Sequence, residues 1–340
     1  MDNGFFKLGD PNAHISCNGY SGSTVFGPVQ IDYIGPLGRV SIYAHLLADL
    51  TVTQMDGQLT EWGHVGSAAQ GVNVTINDMP TPPSGLTFLD LCKATLNFPQ
   101  WPCSFYGDLL LQSGVEEFTR AVLHGFLESG SSINLNNQDV AGSLRIWLGG
   151  TGTIVNGGAV TSTGIVNLGW ANPFPVSFSG TATFASVSNG GSIRTQSSAD
   201  LDGTVHITGD MAGDINLGFF TEPRCPSDLL ANGEILVDGN ATGNITVDGN
   251  VEGDIVIGGN ASGSTGVGAT LKTTGRILVD GMLYGDITVA EETVDLSLIR
   301  VTDGMEDDAV ITINDGRGNF NANGTIHVGA VSFPIGDVTF

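Results

Sequence analysis

The chain has 340 residues, 41% of them hydrophobic, with 50 glycines and a formal net charge of −24 from 35 acidic and 11 basic residues. That apolar share is enough for a continuous core, so the glycines are read as serving turns rather than disorder. No cluster of Lys and Arg could neutralise phosphates, which excludes nucleic acid and anionic membrane surfaces as partners, and no apolar run is long enough to cross a bilayer as a helix.

The start, MDNGFFKLGDPNAHISC, lacks a basic segment followed by an apolar one, so no signal peptide is expected in it. Residues 1–78 read as strands ending in VNVTIND. At Gly38 the run GRVSIYAHLLADLTV matches GRILVDGMLYGDITV at Gly275 over fifteen residues without a gap, in Gly-Arg, in the apolar pair Val40/Ile42, in Leu46, in Asp49 and in Leu50-Thr51-Val52. MPTPPSG (Met79–Gly85) then breaks the pattern and opens a non-repetitive insert over 79–130. Within it Ser113-Gly-Val-Glu116 has the form of a capping box, and Val115, Phe118, Val122, Phe126 and Leu127 follow at helical spacing before Gly130. This predicts one helix over 114–128, packed on the side or end of a strand-built core or serving as a lid.

Residues 131–340 carry the main repeat. From Gly233 the chain reads GEILVDGNAT, GNITVDGNVE, GDIVIGGNAS, three decapeptides with apolar pairs at Ile235/Val237, Ile245/Val247 and Ile255/Ile257. The period of two marks strands of about five residues with one buried face, turned by Gly-Asn. The unit recurs at Gly203 (GTVHITGDMAGDINL) and Gly275, with weaker echoes at Gly142, Gly152 and Gly324. Such strands bury their apolar face by stacking as successive coils. Starts at Gly203, Gly213, Gly233, Gly243 and Gly253 fit two or three strands per coil, because FFTEPRCPSDLLAN (219–232) reads as a corner loop; three sides are expected. The fold is therefore read as all-β, a right-handed parallel β-solenoid of short strands with one inserted helical segment. An antiparallel β-sandwich is the alternative, since Asp-Gly and Asn-Gly also turn hairpins. The shared register of the units favours the solenoid.

Cys17, Cys92, Cys103 and Cys225 form no CxxC pair, and Cys92 and Cys103 flank a short loop that a disulfide could close in an oxidising compartment. Aspartates recur before a turn glycine (Asp238, Asp248, Asp280) and after one (Asp214, Asp254, Asp286), with Asp49 at the matching place after Ala48. They are read as solvated turn residues; the alternative is a carboxylate ridge on Asp238, Asp248 and Asp280 that binds Ca²⁺, the sole cofactor considered, although the calcium-binding nonapeptide repeat is absent. Asn240, Asn250 and Asn260 are expected to adopt left-handed backbone and form internal ladders. No histidine pairing points to another metal. Trp147, Trp170, Tyr43 and Tyr284 are read as packing residues that could alternatively stack on sugars.

VTDGMEDDAVITI (Val301–Ile313) resembles fragments of the polygalacturonase family, which would make Asp303, Asp307 and Asp308 the catalytic carboxylates. Glu306 stands where that family has glycine, and its Gly-His-Gly and Arg-x-Lys motifs are missing. The GxIxVxGxxxGDIxV units of 203–217 and 233–289 resemble the Gly-rich parallel β-helix repeats of bacterial surface proteins, and look like bactofilins, whose β-helical domains polymerise end to end. That resemblance implies a structural protein of a cell surface or extracellular assembly, associating with itself or with neighbouring surface proteins. The alternative function is a carbohydrate-active β-helix, either a hydrolase or lyase or a glycan binder.

Overall fold

A computed structural model describes residues 14–18, 24–79, 87–92, 103–170, 176–196, 199–218, 226–291, 293, 297–306, 309–313, 325–328 and 331–334. Among them there is no helix, and the strands stack in parallel as a β-solenoid. The chain groups into two compact units, residues 1–168 and 169–340.

The second unit shows the building rule most plainly. Glu234–Val237 pairs with Asp254–Ile257, and Ile245–Val247 pairs with Thr265–Val267, each in parallel. Successive decapeptides therefore lie in opposite sheets, Ile245–Val247 in the first sheet and Glu234–Val237 in the second, and each finds its partner two units along, not one. One coil takes two decapeptides, so the expected three-sided coil is corrected to two long sides. Two short sides join them, reduced to a single bridged residue at Met211, Ala241 and Ala261 on one and at Leu229, Val251 and Leu271 on the other, and widening to two or three paired residues at Met282–Leu283 and Ala199–Leu201. The three inward residues of each decapeptide (Ile235, Val237 and Ala241, then Ile245, Val247 and Val251) are all buried, and stacked β-branched side chains fill the core.

Of the corner loop expected over 219–232, residues 219–225 lie outside the described residues; Leu229 bridges Leu201 and Val251 on the short side. After Leu298–Val301 the second sheet adds Thr325–Val328 in parallel, and then Val331–Pro334, which runs antiparallel to it. Apart from that hairpin and one isolated bridge, Ser67 to Gln70, the pairing among the described residues is parallel, which removes the sandwich alternative.

The first unit follows the same plan. One sheet runs His14–Asn18, Arg39–Tyr43, Gln58–Glu61, Thr87–Leu91, Thr119–Leu123, Ser143–Ile146 and Ile165–Trp170; the other runs Val29–Ile34, Leu50–Met55, Val72–Ile76, Gly107–Leu111, Ser132–Asn134 and Thr153–Val160. The helix expected over 114–128 is not formed. Thr119, Ala121 and Leu123 point inward at period two, and Ala121 and Leu123 stack between Leu89/Leu91 and Leu144/Ile146. Parallel partners on both sides outweigh a helical spacing that would have left Val122 and Thr119, both β-branched, in a helix. Ser113 caps nothing helical: its Oγ accepts the Met79 backbone N–H at 2.9 Å. Phe118, expected on the buried helical face, is exposed at a backbone φ of 62°.

Candidate functional site

The corner residues bear out the ladder reading of the asparagines. Asp210 Oδ1 accepts the backbone N–H of Asn240 at 2.8 Å, Asn240 Oδ1 accepts that of Asn260 at 3.0 Å, and Asn260 Oδ1 accepts that of Met282 at 2.9 Å. A second column runs from Asp214 to Asn244 and from Asn244 to Ser264, and a third from Asp228 to Asn250. The left-handed backbone expected at Asn240, Asn250 and Asn260 is not adopted; among the described residues the non-glycine ones with positive φ are Cys92, Phe118, Asn136, Asn137 and Asn156. The side-chain amide supplies what the tight corner needs, a partner for an N–H that the strands do not pair.

Most aspartates at the position that opens a strand, after a turn glycine or after Ala48, do the same work. Asp49, Asp214 and Asp286 accept the backbone N–H groups of Asn73, Asn244 and Val310, and Asp254 forms an ion pair with Arg276. Those that precede one are dispersed. Asp238 and Asp280 share a corner of the second sheet, but Gly258 occupies the position between them, while Asp248 follows a strand of the first sheet. Asp238 lies 3.0 Å from His206 Nε2 and Asp280 3.3 Å from an Arg300 guanidinium nitrogen. No group of three His, Cys, Asp or Glu side chains suited to a metal ion occurs among the described residues, so the structure does not bring together the ridge of Asp238, Asp248 and Asp280. Asp303 is exposed at a corner; Asp307, Asp308 and Cys225 lie outside the described residues.

The least expected group is Glu61. By register it occupies the inward column that holds Ile42 in the preceding coil and Leu91 in the next, and it is fully buried. Cys92 donates its backbone N–H to Glu61 Oε2 at 3.0 Å. Burial raises the carboxyl to a pKa of about 8, against the opposing pull of backbone N–H groups at Cys92 and Gly63, so the group is mostly neutral at pH 7. Around it stand Cys92 and Cys103, both buried free thiols. Burial and then Glu61 raise both, Cys92 well above the ordinary thiol range and Cys103 to about 11. On the neighbouring short side His45 Nδ1 accepts the His64 backbone N–H at 3.1 Å, and His64 Nδ1 accepts that of Ser104 at 3.0 Å. Burial, followed by His45, lowers the His64 pKa. This corner holds carboxyl and thiol groups kept protonated by burial and a His64 imidazole kept from charging, which suits packing and hydrogen bonding more than nucleophilic chemistry.

Two outer surfaces of the first unit carry the remaining polar groups. On the second sheet, Asp49, Thr51, Asn73, Thr75, Asp108 and Asn134 line an open groove of about 420 Å³ with Leu110 in its floor. On the first sheet, Tyr43 stacks on Trp62 with centroids 5.4 Å apart, and His124 packs on Trp147 at 4.7 Å while its Nε2 meets Asp90 at 3.1 Å. No protein-family model, no curated protein and no solved structure matches this chain.

Proposed function

We propose that the chain is a structural β-solenoid of a cell surface or extracellular assembly. The observation that supports this reading is the use of corner Asp and Asn side chains. Residues that could serve a ligand are committed to holding one coil on the next, column after column. An acidic exterior, with a net charge of −24, keeps such a stack soluble and discourages adventitious adhesion. Its partners are neighbouring surface proteins or further copies of itself. The antiparallel strand Val331–Pro334, with a proline that brings no N–H, weighs against copies adding at that edge of the second sheet. Labelling intact producing cells with a membrane-impermeant amine reagent tests the location. Labelling of the chain before lysis supports the proposal, and labelling only after lysis overturns it.

A second reading, a glycan binder, is favoured by the groove over Asp49, Thr51, Asn73, Thr75, Asp108 and Asn134. Carboxylates, amides and hydroxyls recur there at the ~4.8 Å interval of stacked strands, a regular row of donors and acceptors that a repeating polymer can follow. A glycan array with the full chain tests it. Binding that Asn73→Ala and Asp108→Asn weaken supports the reading, and silence on all neutral and acidic polysaccharides ends it.

A further inference from the structure

Basic residues are scarce in this chain, yet two arginines lie together on the outer surface of the first sheet in the first unit. Thr119–Leu123 and Ser143–Ile146 pair in parallel with Arg120 opposite Ser143 and Val122 opposite Arg145. Arg120 and Arg145 are thus diagonal neighbours, at a Cβ separation of roughly 7–8 Å that long side chains readily span. Both are half-buried. The Arg120 guanidinium lies 5.7 Å from the centre of the Phe88 ring, and its Nε is sealed from solvent with no acceptor. Arg145 Nε donates to Ser143 Oγ at 2.8 Å.

Among the described residues neither arginine has a carboxylate partner. The ion pairs among the described residues join His124 to Asp90, His206 to Asp238, Arg276 to Asp254 and Arg300 to Asp280. Asp90 is the carboxylate nearest by register, since it stands opposite Val122 on the preceding strand, and it pairs with His124. Burial and then the charge of Arg120 lower the pKa of Arg145, the mark of two like charges held together in a partly dry place. In a chain with 35 acidic residues, leaving such a pair without a counter-charge costs stability that a single Asp would recover.

We infer that Arg120 and Arg145 form a binding site for an oxyanion carried on a sugar, a uronate carboxylate or a sulfate ester. Two neighbouring guanidinium groups can offer N–H donors to such an anion, and arginine, unlike lysine, can do so bidentately. Aromatic groups flank them: Phe88 beneath Arg120, and the packed His124 and Trp147 rings in the column next to Arg145, two columns from Arg120. Apolar ring surfaces beside paired cations suit a saccharide better than an acidic peptide. This inference is independent of the scaffold reading and of the groove on the second sheet.

Isothermal titration calorimetry of the full chain tests it with four probes: an oligogalacturonate, the same oligomer fully methyl-esterified, a sulfated neutral oligosaccharide and polyglutamate. The expected result is binding of the uronate or the sulfated sugar, no binding of the ester, and at least a tenfold loss in each of Arg120→Gln and Arg145→Gln. Melting of both variants at or above the wild-type temperature shows that the loss is not unfolding, because each substitution relieves the like-charge pair. Tighter binding of polyglutamate than of either acidic sugar overturns the inference in favour of an acidic peptide. Undiminished binding in both variants, or no binding of any anionic probe, overturns it outright. If Asn73→Ala and Asp108→Asn abolish acidic-sugar binding and the arginine variants do not, the groove holds the sugar and this inference fails alone.

Discussion

The side-chain oxygen of Asn240 accepts the backbone N–H of Asn260, the residue that holds the same position one coil later, at 3.0 Å. Asn240 is itself held by Asp210, which accepts both its backbone N–H and its Nδ2–H, at 2.8 and 3.2 Å. Replacing Asn240 by alanine removes the middle of the column and leaves the Asn260 N–H unpaired at a corner. The expected loss is about 1–2 kcal/mol, the usual cost of a stranded backbone donor. The midpoint of urea unfolding measures it, and an unchanged midpoint would show that water replaces the amide at no cost.

The glycines that open each unit are required by the approach of successive coils. A Cβ on Gly263 would lie 1.9 Å from the backbone oxygen of Gly243, and one on Gly243 would lie 1.9 Å from that of Gly213. Gly263→Ala must therefore push two coils apart and is expected to cost roughly 2–4 kcal/mol, in the range of severe overpacking. Gly266 sits three residues away on an outer face, where an added Cβ meets nothing within 4 Å. Gly266→Ala is expected to fall within about 0.5 kcal/mol of the parent. Equal effects of the two substitutions on the melting temperature would contradict the close-approach argument.

The thiols at the Glu61 corner give a kinetic prediction. Cys92 and Cys103 are buried, and burial holds both thiols up. Since the thiolate is the reacting form, labelling of native protein by iodoacetamide at pH 8 is expected to be orders of magnitude slower than in denaturant. Mass spectrometry of peptides carrying Cys92 and Cys103 reads the rates separately. Rapid native labelling of Cys92 would show that this corner opens readily.

How much of this was legible in the chain depends on which residues are asked. The inward positions were open to reading: Val40, Ile42, Leu46, Leu50 and Val52 align with Ile277, Val279, Leu283, Ile287 and Val289, and all ten are buried. The same alignment hides the sheet, because Arg39–Tyr43 lies in the first sheet and Arg276–Val279 in the second. One decapeptide serves either face, so periodicity alone could not decide between two and three sides. The false helix arose where Val115, Phe118 and Val122 satisfied a helical spacing by chance while Thr119, Ala121 and Leu123 satisfied a strand. The parallel neighbours that decide between them come from distant parts of the chain. Glu61 did leave a signal, since the alternation of Gln58–Glu61 places a carboxyl where Ile42 and Leu91 place apolar side chains, but the register needed to see it is a property of the fold. The paired arginines left no local signal, being 25 residues apart and joined only by strand pairing.

Glu61 links the stability of the first unit to pH. Its carboxyl has a pKa of about 8 when folded and an ordinary value near 4.5 when exposed. Below pH 4.5 both states carry the proton and burial costs no ionisation energy. Between pH 4.5 and 8 the unfolded state loses the proton while the folded state keeps it, so stability attributable to this group falls as pH rises. Above pH 8 both are ionised and the loss levels off at a few kcal/mol. Glu61→Gln keeps the shape and an acceptor for the Cys92 N–H but cannot ionise, so it is expected to remove this slope and to exceed the parent in stability at pH 8, with little difference at pH 4. Urea unfolding at intervals from pH 4 to 9 gives both curves. Parallel curves for the two proteins would mean that water reaches the carboxyl and that the corner is not sealed.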